Sequence, residues 1–352
     1  MNAPLHKEFA AQVLNDAQAL EQATHQWDSD IVGQLTEYIR IPAKSPGFDA
    51  LWSQHGHIDA VLRNAASWVE AQKVDGLRLE VLRMEGRTPV LFFEIPATRP
   101  GSTQTVLMYG HLDKQPEFNG WRKDLGPWTP KYEDGKLYGR GGADDGYAVY
   151  ASIAAIQLLK AQKVPHPRIV GIVETCEESG SQDLLPHVDA LRERLGDVGL
   201  VVCLDSGAGN YDQLWLTTSL RGMASGTLKV EVLTEGIHSG DASGLVPSSF
   251  RIMRQVLDRL EDSAVPADRL AQARATAAIL GDEVIKRFPW AHYDCEGATN
   301  FVLPTTTDPL QALLNRTWTP TLSVTGAEGF PALADAGNVL RPYTAFKLSL
   351  RL

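Results

Sequence analysis

Cysteine is scarce in this chain and unpatterned: Cys176, Cys203 and Cys295 form an odd set with no C-x-x-C spacing. Such a set excludes a complete disulfide framework and fits a reducing, cytoplasmic compartment. Long apolar runs are missing too. No segment reaches the roughly 20 residues that a membrane helix needs. Residues 1–27 mix His6, Lys7, Glu8, Asp16 and Glu21 with alanines and lack the apolar centre of a signal peptide. Basic clusters are also absent. With a net charge of -10 the chain has nothing to track phosphates, so neither nucleic acid nor an anionic membrane is expected as a partner. No serine sits in a G-x-S-x-G elbow, which argues against a serine hydrolase.

What is present is a long globular chain. Its 352 residues, 43% of them apolar, can bury a large core and suggest two domains, or one domain carrying an insertion. Residues 9–40 and 58–72 have helical periodicity, with Ile58, Val61, Leu62, Ala65, Ala66 and Val69 sharing one face of the second. Apolar runs at 90–93, 105–108, 169–173 and 200–204 read as buried strands, alternating with helices at 147–162 and 184–195. This predicts an α/β catalytic domain over residues 1–215, with a mainly parallel sheet and helices on both faces. After 216 the pattern changes. Residues 227–232 and 346–351 alternate strictly between apolar and polar, as strands do when one face of a sheet meets water. Ser248 or Ser249 can cap a helix whose Phe250, Met253, Val256, Leu257 and Leu260 form one stripe. With a strand at 321–324, and a helix over 267–286 stopped by Pro289, residues 216–352 read as a smaller α+β domain.

The chemistry gathers at strand ends. His111 and Asp113 lie where the 105–108 strand leaves its sheet, and residues two apart face the same way, so the Asp113 carboxylate can hold one ring nitrogen while the other binds a metal. Asp144 or Asp145 stands at the N-terminus of the 147–162 helix, Glu177 and Glu178 follow the 169–173 strand, and Asp205 follows the 200–204 strand. In open α/β sheets the site lies outside the carboxyl ends of the strands, which is where these residues converge. Carboxylates so gathered repel one another, and one or two divalent cations are the simplest compensation. Nitrogen and oxygen donors without thiolate suit Zn2+, with Mn2+ or Co2+ as alternatives. The glycine loop at 139–146 lacks the third glycine of a dinucleotide turn.

Four stretches carry a resemblance: Gly110-His111-Leu112-Asp113, Gly139-Arg140-Gly141-Gly142-Ala143-Asp144-Asp145-Gly146, Glu177-Glu178-Ser179-Gly180-Ser181 and Leu204-Asp205. They resemble the metal-site motifs of the dinuclear zinc metallopeptidases that include carnosinase, cytosolic non-specific dipeptidase, peptidase V, carboxypeptidase G and aminoacylase. The resemblance implies that His111 and Asp205 hold one ion, Asp144 bridges two, Glu178 holds the second, Glu177 is the general base on the bridging water, and Asp113 orients His111. Gly236-Ile237-His238-Ser239-Gly240 and the stretch from Asn338 to Arg351 look most like the lid of the dipeptidase branch. There the resemblance implies an inserted lid that forms a homodimer. It delivers His238 to the partner subunit's site, where His238 acts with Asn338 on the scissile carbonyl while Arg351 binds the substrate carboxylate. Read from its residues alone, His238 is a loop histidine in solvent. The implied activity is hydrolysis of dipeptides or similar small substrates with a free carboxylate. An N-acyl amino acid deacylase, a carboxypeptidase, and a catalytically dead metal- or peptide-binding relative are the alternatives. Two departures stand out. Asp145-Gly146-Tyr147 runs straight into the helix, and the sequence stops at Leu352 within the lid's strand pattern. The 352 residues are therefore expected to be part of a longer chain, whose remainder completes the catalytic domain and supplies a second-site histidine.

Overall fold

The computed structural model describes residues 13–260, 270–286, 288, 292–295, 298–301 and 304–352. The expected helical residues 9–12 and 267–269, and Pro289, lie outside them. The chain divides into two compact units, Met1–Gly207 and Ala208–Leu352. In the first, α1 (Asp16–Gln26) and α2 (Val32–Arg40) are joined by a wider helical turn, and α3 (Trp52–His55) leads through Gly56 into α4 (His57–Ala71). Then come β1 (Arg78–Leu82), β2 (Val90–Ile95), β3 (Gln104–His111), the hairpin of β4 (Lys131–Glu133) and β5 (Lys136–Tyr138), α5 (Ala148–Ala161), β6 (Arg168–Glu174), α6 (Leu184–Leu195) and β7 (Asp197–Cys203).

The main sheet has the order β1-β2-β6-β3-β7. Strands β6, β3 and β7 run parallel, as their apolar runs predict, while β2 and β1 extend the sheet antiparallel. Alternation along β2 divides the core. Leu91, Phe93 and Ile95 join Ile58, Leu62 and Val69 of α4 and Val149 and Ile153 of α5 on one face. Val90 and Phe92 join Leu191 and Leu195 of α6 on the other. Helices thus cover both faces, and close packing on each side holds β6 and β3, with which β7 is paired. Strand β7 is the open edge: Leu200 and Val201 are each 55% exposed.

The second unit is built on an antiparallel sheet of order β12-β14-β8, from β8 (Met223–Glu231) through β9 (Ile237–His238), α7 (Ser239–Ala242), α8 (Ser249–Leu257), α9 (Leu270–Leu280), α10 (Glu283–Lys286), β10 (His292–Cys295), β11 (Ala298–Phe301), α11 (Pro309–Thr317), β12 (Thr321–Glu328) and β13 (Val339–Leu340) to β14 (Tyr343–Arg351). Ser248 caps α8 by accepting the Arg251 N–H. The helix then lays fully buried Met253 into the core and Phe250 edge-on against Phe346 of β14. This is the expected α+β pattern. No helix among the described residues is long and apolar enough to cross a membrane.

Gly171, in the middle of β6, shows how tightly the first core is filled. A Cβ there would lie 2.0 Å from the Phe93 ring. Gly171→Ala is therefore expected to destabilise the protein by about 1–3 kcal/mol, the usual cost of overpacking. Adding Phe93→Leu should recover part of the loss in thermal or urea melts. A single variant as stable as the wild type would show that the ring has room to step aside.

Candidate metal centre

Three parallel strands end at one edge, and each delivers an ionisable residue there. His111 closes β3 and is completely buried. Its Nε2 stands 3.2 Å from Asp144 Oδ1, 3.7 Å from Asp205 Oδ2 beyond β7, and 3.8 Å from Glu177 Oε2 beyond β6. One donor atom each from His111, Asp144 and Asp205 falls within 4.8 Å of the others. The expected convergence is present because parallel neighbours point their carboxyl ends the same way.

Asp113 has a wider part than the sequence suggested. The His111 Nδ1 lies 3.1 Å from the Asp113 main-chain oxygen and 3.5 Å from its carboxylate. That carboxylate accepts the backbone N–H groups of Glu177 and Glu178 at 3.1 and 3.0 Å. One buried side chain therefore ties the end of β3 to the turn after β6. Asp144 and Asp145 stand in the turn before α5, but neither caps it: Tyr147 occupies the N-cap, with no side-chain bond to the helix. Asp145 instead folds inward, fully buried, and accepts the His111 N–H at 3.3 Å, while the Asp144 carboxylate stays 55% exposed on the site side. Gly110 makes this possible, since a Cβ there would lie 2.9 Å from Asp145 Oδ2 and 2.6 Å from the Ala148 methyl.

Two supporting residues escaped the sequence reading. Lys114 is buried and donates to the carbonyls of Tyr38 and Ile41 at 2.7 and 2.8 Å at the carboxyl end of α2, and burial pulls its amine down to about 6. Gln115 donates to Glu178 Oε2. Neither belongs to a pattern: the burial of Lys114 is set by packing of α2 on the segment after β3, and half-buried Gln115 meets Glu178 from a distant segment. In the second unit, β9 pairs with β13 so that His238 faces Val339, and the Asn338 carbonyl accepts the Ser239 N–H at 2.9 Å. His238 and Asn338 are thereby neighbours. Exposed His238 accepts the Gly240 N–H through Nδ1 at 3.1 Å. Arg351 lies at the far end of β14, opposite Met223 and Thr321, and is exposed.

Charge in the centre is organised by His111. Burial pulls its imidazole down, but Asp113 and Asp144 outweigh this and push it up to about 12. The hydrogen bond from His111 in turn holds Asp144 below its ordinary value. Burial pushes Asp145 and Glu178 up to about 7, with Asp144 adding to both. Glu177 and Asp205 are raised as well, chiefly by burial, with His111 opposing. One imidazolium is thus the cation around which several carboxylates crowd, the role a divalent ion fills better. Glu178 Oε1 is buried without a hydrogen-bond partner. The donors of His111, Asp144 and Asp205, with no thiolate among them, and the bare Glu178 acceptor nearby fit binding of divalent cations.

This electrostatic arrangement fixes the pH response. Asp145 and Glu178 keep their protons up to about 7 in the folded chain, whereas unfolded carboxylates lose them near 4. Between those values the folded state binds more protons than the unfolded one, so stability falls as pH rises. His111, also raised, acts in the same direction above about pH 6.5. A bound cation replaces those protons. Lys114, pulled down to about 6 by burial, acts the opposite way above that pH, so the Tm of chelated protein should fall between about pH 5 and about pH 7 and level off beyond, while the gain from added Zn2+ widens. A chelated Tm that rises across this window would contradict the proton count.

Residues 107–341 match peptidase family M20/M25/M40. The chain is 30% identical over 261 residues to Beta-Ala-His dipeptidase of Homo sapiens, covering 70% of this chain and 50% of that protein. It is 27% identical over 267 residues to Cys-Gly metallodipeptidase dug1 of Schizosaccharomyces pombe, covering 71% and 54%. The chain spans about half the length of the curated relatives it matches. Among solved structures, human carnosine dipeptidase 1 aligns with a TM-score of 0.65 at 23% identity, over 96% of this chain and 72% of that one. The di-peptidase Dug1p of Saccharomyces cerevisiae aligns with a TM-score of 0.63 at 22% identity, with the same coverage, so the two share its fold. The matched span takes in His111, Asp144, Glu177, Glu178 and Asp205 together, and the chain belongs to peptidase family M20/M25/M40.

Proposed function

We propose that this chain carries the metal centre of a hydrolase that cleaves the amide bond of dipeptides, or of similar small substrates with a free carboxylate. The observation that carries the reading is His111 Nε2 with Asp144, Asp205 and Glu177 between 3.2 and 3.8 Å away, at the carboxyl ends of three parallel strands. The relatives named for Beta-Ala-His and Cys-Gly support small peptides as the substrate class. In this reading His111, Asp144 and Asp205 hold one divalent ion, and Asp144 is shared with a second held by Glu178. Zn2+ suits these donors best. When bound, the ions supply Lewis acidity, which polarises the carbonyl and acidifies water.

Glu177 is the proton carrier. Burial raises its carboxyl, its backbone is fixed by the Asp113 carboxylate, and its Oε2 faces His111. It takes the proton of the attacking water and returns it to the leaving amine. Asp113 holds His111 and braces the turn that carries Glu177 and Glu178. His238 and Asn338 polarise the scissile carbonyl, and Arg351 receives the substrate carboxylate. Residues 216–352 act as a lid that pairs in a homodimer, with His238 serving the partner subunit's centre.

On metal-loaded protein, assayed with dipeptides and N-acyl amino acids, Glu177→Gln should keep its metal by mass spectrometry yet lose roughly 100-fold or more in kcat. Loss of metal together with activity would make Glu177 a ligand. Mixing inactive Glu177→Gln with inactive His238→Ala protein should restore activity once subunits exchange. Demonstrated exchange without recovery would remove His238 from the partner's centre.

A further inference from the structure

Glu174, the last residue of β6, is 1% exposed. Its Oε1 accepts the Tyr109 hydroxyl at 2.6 Å and the Ser181 hydroxyl at 2.8 Å, and its Oε2 accepts the Cys176 thiol at 3.4 Å. No lysine or arginine pairs with it among the described residues. Burying a carboxylate on neutral donors alone, beside a centre already crowded with acids, is a costly way to fill a core. The donors explain why it is there. Tyr109 lies two residues before His111 on the same face of β3, while Cys176 and Ser181 stand at the two ends of the turn that carries Glu177 and Glu178. Ser181 has a φ of +53°, a conformation that a non-glycine residue keeps only when its surroundings impose it. Burial and the Glu174 bond push the Tyr109 phenol up, so it remains a donor.

We infer that Glu174 is a positioning residue: by joining Tyr109 of β3 to both ends of the 176–181 turn, it sets where Glu177 and Glu178 stand relative to His111. Asp113 holds the turn by its backbone from the inside, and Glu174 holds it by its side chains from behind. Ser179 ties the middle of the turn by accepting the Gly47 N–H at 2.7 Å, so the Glu174 brace acts on its two ends. The inference rests on the roles proposed for Glu177 and Glu178, but its consequence for the turn can be read without metal or substrate.

The test uses the full chain with Glu174→Gln, whose amide must turn a donor either towards Tyr109 and Ser181 or towards Cys176, and Ser181→Ala, which removes one tie and leaves the core filled. In chelated protein, hydrogen exchange at the Glu177 and Glu178 amides should rise about tenfold in both variants, with exchange along β3 and β6 unchanged. The absorption spectrum of Co2+-loaded protein should shift as Glu178 moves, and kcat should fall by up to about 100-fold with KM little altered. Unchanged exchange and an unchanged Co2+ spectrum in both variants would overturn the inference. Exchange rising equally along β3 and β6 would overturn it too, since that marks a general packing role. If wild-type protein hydrolyses nothing while the exchange and spectral changes appear, the positioning role stands and the hydrolase reading falls.

Discussion

Repulsion among carboxylates held at close quarters is the constraint on which the first unit depends. Asp113, Asp144, Asp145, Glu177, Glu178 and Asp205 surround one imidazole, and left to themselves they would move apart or take up protons. The fold prevents the first outcome. Strands β6 and β3 are fixed by apolar packing on both faces and β7 by its pairing with β3, so their ends cannot spread. The acids that only support the centre draw on neutral donors: Asp113 on backbone N–H groups, Asp145 on the N–H of His111 through one oxygen only, and Glu174 on two hydroxyls and a thiol. No lysine or arginine pairs with them among the described residues.

The part of this centre that could be read in the sequence is the part that follows strand geometry. His111, Glu177, Glu178 and Asp205 each come after an apolar run of strand length, and a parallel sheet sends such residues to one edge whatever the rest of the chain does. Asp144 can be placed near them by its glycine-rich loop, but the residues alone leave open whether it or Asp145 stands at the helix N-terminus. What decides between Asp144 and Asp145 is the gap that Gly110 leaves beside the sheet, a contact no local pattern encodes. Lys114, Gln115 and Glu174 were missed for the same reason. Polar residues carry no periodic signature when they are buried, and their partners come from distant segments.

At the level of architecture, periodicity found β2, β3, β6 and β7 as strands, although β7 is mostly exposed where a buried strand was expected, and it missed β1, whose half-exposed residues 78–82 sit on the antiparallel edge. It also could not see β9 and β13. Each is two residues long, shorter than any repeat that alternation can reveal, yet their pairing makes neighbours of His238 and Asn338.

The order β1-β2-β6-β3-β7 also governs the sequence of events in folding. Hairpin-like pairing of β1 with β2 is local, but β3 must wait for α5 and β6 on one side and for α6 and β7 on the other. Such distant pairings are slow, because the loop must be closed before any contact rewards it. His111 and Asp205 meet only when the last of them forms. An ion that needs both has its site only once that pairing is made, so it favours the folded chain over the unfolded one.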